Sequence, residues 1–171
     1  TSMRPSEHAT HVGLDVCTNQ PPMRLADKRL GLLMNQASID AEVRPASDVI
    51  GSVFPGQLVA LFSPQHGPGG TQQANMIETP HGLDPQSGLP IYSLYSETRR
   101  PTPEMLQQID CLVIDLQDVG VRVYTYIWTV VECLKAAAEV ELSVLILDRP
   151  NPLGGEQVEG PLLEPGFESF V

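Results

Sequence analysis

Four short runs of large aliphatic and β-branched residues, Leu30 to Met34, Leu58 to Phe62, Cys111 to Leu116 and Ser143 to Leu147, are continuous rather than alternating. A strand with one wet face alternates apolar and polar side chains, whereas a strand covered on both faces reads as an unbroken apolar run. The stretches between these runs have helical character. That alternation predicts an α/β fold, a parallel sheet with helices on both faces.

The clearest helix is predicted from about Tyr124 to Glu139, with Ile127, Val130, Val131, Leu134 and Ala138 recurring at the spacing of one packed face. A second starts at Thr102-Pro103-Glu104, where a hydroxyl stands at the N-cap, proline at the first helical position and an acid in the first turn. Its apolar side is Met105, Leu106 and Ile109. A weaker third covers Ser47 to Val53. The passage from Gly67 to Gly88, rich in Gly, Pro and polar residues, reads as either a mobile loop or a functional one.

Composition narrows the class of partner. The chain has 171 residues, 42% of them hydrophobic and 18% charged, which suits one domain built round a single core. Ten Lys and Arg against 21 Asp and Glu give a net charge of −11, so a phosphate polyanion is repelled overall and nucleic acid is not an expected partner. No stretch reaches the length of uninterrupted apolar residues that a membrane span needs, and the polar TSMRPSEH has no signal-peptide hydrophobic region. The three cysteines, Cys17, Cys111 and Cys133, lack paired spacing and read as small core residues.

In an open parallel sheet, ligands bind beyond the carboxyl ends of the strands, because the loops that leave those ends converge there. The exits here are Asn35-Gln36-Ala37-Ser38, Ser63-Pro64-Gln65-His66-Gly67, Gln117-Asp118-Val119-Gly120 and Asp148-Arg149-Pro150-Asn151. Asn35 is equally a turn residue or a ligand group. His66 is a structural histidine or a proton carrier. Asp115 lies within a strand, where an acid is costly unless paired. Asp148 and Arg149 read as a local ion pair. Asp118 is the favoured acid, since it leaves a strand directly towards a glycine and precedes Arg122, Tyr124 and Tyr126, groups suited to a carboxylate or sugar hydroxyls. Arg99 and Arg100 are further cations or members of a solvated loop.

Several chemistries lack their motif. There is no GxGxxG after the first apolar run, no GxxxxGK[ST] and no GxSxG, which disfavours a dinucleotide, a P-loop and a hydrolase elbow. His8, His11, His66 and His81 have no metal-ligand spacing with acids on a helix, so no metal is expected.

Taken in order, GLDV (Gly13 to Val16), RLGLLMNQAS (Arg29 to Ser38), LVALFSPQHG (Leu58 to Gly67), GLPIYSLYSETRRPTPEML (Gly88 to Leu106), VIDLQDVGVRVYTYI (Val113 to Ile127), LILDRPNPLGG (Leu145 to Gly155) and EGPLLEP (Glu159 to Pro165) resemble the NamZ-like exo-β-N-acetylmuramidase family, long catalogued as a domain of unknown function. The resemblance covers nearly the whole chain. It implies that residues 1–171 form the N-terminal Rossmann-like domain of a larger two-domain enzyme, whose C-terminal domain is the partner that completes the cleft. It also implies release of terminal N-acetylmuramic acid from peptidoglycan fragments, without a cofactor. Family members are often exported, an address that TSMRPSEH does not itself supply.

The resemblance carries roles residue by residue. The family motif is similar to PEHG and its Glu is the expected catalytic carboxylate, whereas this chain has Gln65; His66 and Asp118 complete the catalytic set. Asn35, Gln36, Arg99, Arg122, Tyr124 and Asn151 are expected to hold a muropeptide or amino-sugar ligand. A looser departure lies at Asn75, where relatives often have an acid. A carboxamide cannot exchange a proton as a carboxyl does, and such assistance is worth roughly 10²–10⁴-fold. Two functions therefore stand: a glycoside hydrolase impaired at Gln65, or a muropeptide-binding protein that uses the same cleft without turnover. An unrelated α/β domain for a nucleotide or sugar phosphate is a third possibility that the joint motifs disfavour.

Overall fold

The computed structural model describes residues 10–70, 78 and 80–169; the expectations attached to His8 and Asn75 fall outside these residues. The elements in chain order are α1 (Gly13–Asn19), a 3₁₀ turn (Met23–Leu25), β1 (Leu30–Met34), α2 (Ala46–Val53), β2 (Leu58–Ser63), β3 (Gly82–Leu83), β4 (Pro90–Ser93), α3 (Pro103–Leu106), β5 (Cys111–Asp115), α4 (Tyr126–Glu139) and β6 (Ser143–Ile146).

One six-stranded sheet runs in the order β3-β4-β2-β1-β5-β6. Every pairing is parallel except that of the short edge strand β3 with β4. With β3 set aside, β1 is central, β2 and β4 step out on one side, and β5 and β6 step out on the other. This is the strand order of a Rossmann-like sheet, whose direction of winding reverses between β1 and its neighbour β5. The continuous apolar runs have their reason here. All five residues of both β1 and β5 are buried, because each strand has a neighbour on both sides and helices on both faces.

The two faces carry separate cores. Leu30, Leu32 and Met34 pack with Leu14 and Cys17 of α1 and with Ala46, Val49 and Ile50 of α2. Leu33, Phe62, Leu112 and Ile114 pack with Leu106 and Ile109 around α3 and with Cys133 and Ala136 of α4. Helix α3 begins as its sequence dictates, with the Thr102 hydroxyl accepting from the Met105 amide at 3.4 Å. Helix α1 lies so close to the end of β6 that a Cβ on Gly13 would come within 2.3 Å of the Asp148 nitrogen. Only glycine fits there. Among the described residues no helix is long and apolar enough to cross a membrane.

Of the four apolar runs expected to be covered on both faces, Ser143 to Leu147 is not: β6 is an edge strand, and its Ser143 and Ile146 are exposed. The sheet has two strands, β3 and β4, that the apolar runs do not announce, because β4 is short, starts on Pro90 and lies near the sheet edge with only Ser93 fully buried. Helix α4 buries Tyr126, Thr129, Cys133, Ala136 and Ala137 rather than the face containing Ile127 and Leu134, which are each 39% exposed. The buried stripe is shifted by one residue, and its small Ala, Cys and Thr side chains let the helix approach the sheet closely.

Candidate functional site

Register sets the exits level with one another. Leu33 of β1 pairs with both Phe62 of β2 and Ile114 of β5, and Ile114 in turn pairs with Ile146 of β6. The segments that follow therefore emerge along one edge, and contacts between them bind that edge into a unit.

The β2 exit forms a tight turn in which the Gly67 amide donates to the Pro64 carbonyl at 3.2 Å. His66 stands at the third position of this turn with φ of 72°, a left-handed conformation that costs a residue with a Cβ. Backbone strain of this kind is held only by surrounding contacts. Here Gln65 supplies one of them. Its Oε1 accepts from Thr125 Oγ1 at 3.0 Å, and its carbonyl accepts from the Tyr126 hydroxyl at 3.5 Å. Gln65 is 8% exposed, so it lies beneath the surface at the mouth of the edge rather than inside the apolar core.

Thr125 was not singled out by the sequence. It occupies the N-cap of α4, where a hydroxyl normally bonds a backbone amide of the first turn, yet it makes no such bond. Its donor is directed at Gln65 instead. The neighbouring Tyr124 and Tyr126 rings stack edge to face with centroids 4.7 Å apart. Partial burial pushes the Tyr124 phenol up, helped by Tyr126 and by the negative field of Asp118. Asp118 is half-buried.

The β5 and β6 exits are joined in the same way. Gln117 Nε2 donates to the Pro150 carbonyl at 2.8 Å, and the Asn151 amide sits where a Cβ on Gly120 would lie, 2.7 Å away. On the opposite side, the Gln36 amide covers Gly70 so closely that a Cβ there would be 2.7 Å from it. Gln36 itself is exposed. Asn35 is fully buried and behaves as a turn residue, its Oδ1 accepting from the Ala37 amide at 3.0 Å while its Nδ2 has no partner among the described residues.

The expected cations have different fates. Arg99 lies over the Tyr95 ring at 3.8 Å and donates to the Ser96 carbonyl at 2.6 Å, at the exit of β4. Arg100 turns away to Glu139 at the far end of α4, at 2.5 Å. Arg122 is exposed, and its carbonyl accepts from the Trp128 indole at 3.3 Å. Arg149 does not form the local pair expected with Asp148. Its guanidinium grips Asp115 at 2.5 and 2.8 Å, because the fully buried Asp115 carboxylate needs a charged partner and Asp148 is already in solvent. Burial pushes the Asp115 carboxyl up from its ordinary range, and the Arg149 fork opposes that shift.

Residues 30–171 match the family model described as exo-beta-N-acetylmuramidase NamZ, N-terminal. The chain is 43% identical over 159 residues to the peptidoglycan beta-N-acetylmuramidase NamZ of Bacillus subtilis (strain 168), an alignment that takes in 93% of this chain and 38% of that protein. Two crystal structures of DUF1343 family proteins from Bacteroides fragilis NCTC 9343 superpose with TM-scores of 0.83 and 0.76 at 42% and 32% identity. They take in 94% and 96% of this chain but only 40% and 41% of their own. The chain thus spans about two-fifths of the length of each of these relatives.

Proposed function

The chain belongs to the exo-β-N-acetylmuramidase NamZ family, and from that premise we propose that it forms the sugar-handling edge of a glycoside hydrolase that releases terminal N-acetylmuramic acid from peptidoglycan fragments. On this reading residues 1–171 are the N-terminal domain of a two-domain enzyme, and the rest of the cleft wall comes from the C-terminal domain of the same polypeptide. The observation that carries the reading is the setting of Gln65, held by Thr125 at 3.0 Å on the edge where the exits of β1, β2, β5 and β6 meet; on the proposed reading it takes the position of the family's carboxylate.

Glycoside hydrolysis uses two carboxyl groups, one protonating the leaving oxygen and the other stabilising or activating the opposite face of the sugar. Asp118 supplies one. Gln65 occupies the position of the other and contributes hydrogen bonding without proton transfer, which lowers turnover. His66, fixed by the strained turn, stands next to it. Arg122 and Arg99 are the cations available for the lactyl carboxylate of the sugar, while Gln36, Tyr124 and Asn151 offer hydrogen bonds to hydroxyl and acetamido groups. Asn35 supports them from beneath.

A second reading is favoured by the carboxamide itself: the same edge binds a muropeptide and does not cleave it. Incubating the full-length protein with muropeptides, and following both free N-acetylmuramic acid and calorimetric binding, tests the two together. Release supports the hydrolase, binding without release supports the binding protein, and neither release nor binding contradicts the assignment of this edge.

A further inference from the structure

One guanidinium ties together three strand exits. Arg149, 6% exposed in its side chain, leaves β6; its Nε and Nη2 donate to the two carboxylate oxygens of Asp115 at the end of β5. The same Nη2 donates to the Ile39 carbonyl at 2.9 Å, on the loop that leaves β1. Asp115 reaches that loop a second time through its own carbonyl, which accepts from the Ser38 hydroxyl. The Ser38 Oγ in turn accepts from the Asn35 amide at 3.0 Å, and the Asn35 carbonyl accepts from the Ser38 amide at 3.0 Å. The loop that leaves β1 is therefore held at Ile39 by the buried ion pair and at Ser38 by the Asp115 carbonyl, and the corner of its turn carries the exposed Gln36 against Gly70.

A buried ion pair is an inefficient way to stabilise a fold, because desolvation consumes much of the attraction and apolar replacements are often as stable. What such a pair supplies that an apolar pair cannot is direction. A planar fork fixes its acceptors in angle as well as distance. We infer that Arg149, together with Asp115, is a positioning residue: the fork sets the β1 turn and thereby the place of Gln36 on the sugar-handling edge. The inference rests on the reading of that edge given above and adds to it the device that holds one of its walls.

The test uses the full-length protein and two variants. Arg149→Lys keeps the charge and loses the fork. The double variant Asp115→Leu/Arg149→Met removes both charges and leaves neither stranded, so it folds even where a single truncation does not. Amide hydrogen exchange at Ala37 to Ile39 is expected to quicken about tenfold or more in both, with exchange in β2 and β4 unchanged, as for a local opening. Calorimetric binding of free N-acetylmuramic acid is expected to weaken about tenfold, the size of effect that a misplaced positioning group produces. Unchanged exchange at 37–39, or an equal rise across the whole sheet, overturns the inference. Faster exchange with unaltered sugar affinity also overturns it, since the turn would then be held for no purpose at the edge. A parent protein that binds no amino sugar removes the functional reading instead, and the exchange pattern alone then decides whether Arg149 sets the turn.

Discussion

Gln65 and Thr125, 60 residues apart in the chain, meet side chain to side chain at 3.0 Å, so that the exit of β2 and the start of α4 close on each other. The threonine hydroxyl is the donor and the carboxamide oxygen the acceptor. A carboxylate in place of Gln65 would receive the same bond, which favours its ionised form. In a Gln65→Glu background, Thr125→Val is therefore expected to raise the pKa of the introduced carboxyl and shift the corresponding limb of the pH–rate profile upwards. A hydrogen bond to a charged acceptor is worth roughly 1.5–3 kcal/mol, which at roughly 1.36 kcal/mol per pH unit corresponds to a shift of up to about one to two units. A profile that does not move would mean that the two side chains separate when substrate binds.

Gly13→Ala is expected to destabilise the protein by about 1–3 kcal/mol, the usual cost of forcing atoms into a packed site. The added methyl would lie 2.3 to 2.6 Å from the backbone of Leu147 and Asp148, which cannot rotate aside as a side chain can. Denaturant midpoints of the two proteins measure the effect. A variant as stable as its parent would show that α1 is free to lift from β6.

At the opposite, amino-terminal edge of the sheet, Arg29 bonds Asp110 through Nε and Nη2 at 3.1 and 2.8 Å and through its own amide at 2.9 Å. These bonds pull the Asp110 carboxyl down to about 2 from its ordinary 3.8. A carboxyl whose folded pKa is depressed stabilises the fold above its unfolded pKa, and the contribution is lost as the pH falls through the folded value. The stability difference between parent and Asp110→Asn is expected to be full at about pH 6 and to vanish between pH 3.8 and about 2. A difference that persists undiminished at the lower end of that window would contradict this, whereas activity near neutral pH should not change, because the pair lies away from the strand exits.

All three cysteines are free and buried, and burial pushes the Cys133 thiol up to about 12 and the Cys17 and Cys111 thiols up as well. The thiolate is the reactive form. A thiol reagent at about pH 8 is expected to leave the native protein unmodified and to label all three positions after denaturation. Rapid native labelling at Cys17 or Cys111 would indicate that the α1 face opens.

Strands β1, β2 and β5 were legible in the sequence because covered strands leave unbroken apolar runs; β6 also falls within a residue of its expected bounds, although as an edge strand it is only partly buried, with Ile146 50% exposed. Strand β4 was hidden by its opening proline and its edge-like exposure. The packed face of α4 differs from the expected one because hydrophobicity favours Ile127 and Leu134, whereas the helix approaches the sheet through alanine, cysteine and threonine. The strand-exit rule sets Asn35, Gln36, Gln65, His66, Asp118 and Asn151 on the segments that follow β1, β2, β5 and β6, since it depends only on chain direction. It could not find Thr125, whose hydroxyl looks like an ordinary helix cap. Nor could it find the partner of Arg149, because Asp148 is adjacent in sequence while Asp115 is adjacent only in the folded sheet.

On the proposed reading, Gln65 stands where a carboxyl would transfer the proton. Hydrolysis of a chromogenic β-N-acetylmuramic acid glycoside by the full-length protein, with Gln65 and with Gln65→Glu, tests it most directly. The swap is close to isosteric and keeps the acceptor for Thr125, so folding is a minor variable that a thermal melt checks. A gain in kcat for Gln65→Glu of up to roughly 10²–10⁴-fold is expected, the range of a positioned acid or base. A Gln65 protein that already turns over rapidly, with no gain from glutamate, would contradict it and move the chemistry to Asp118 and its neighbours.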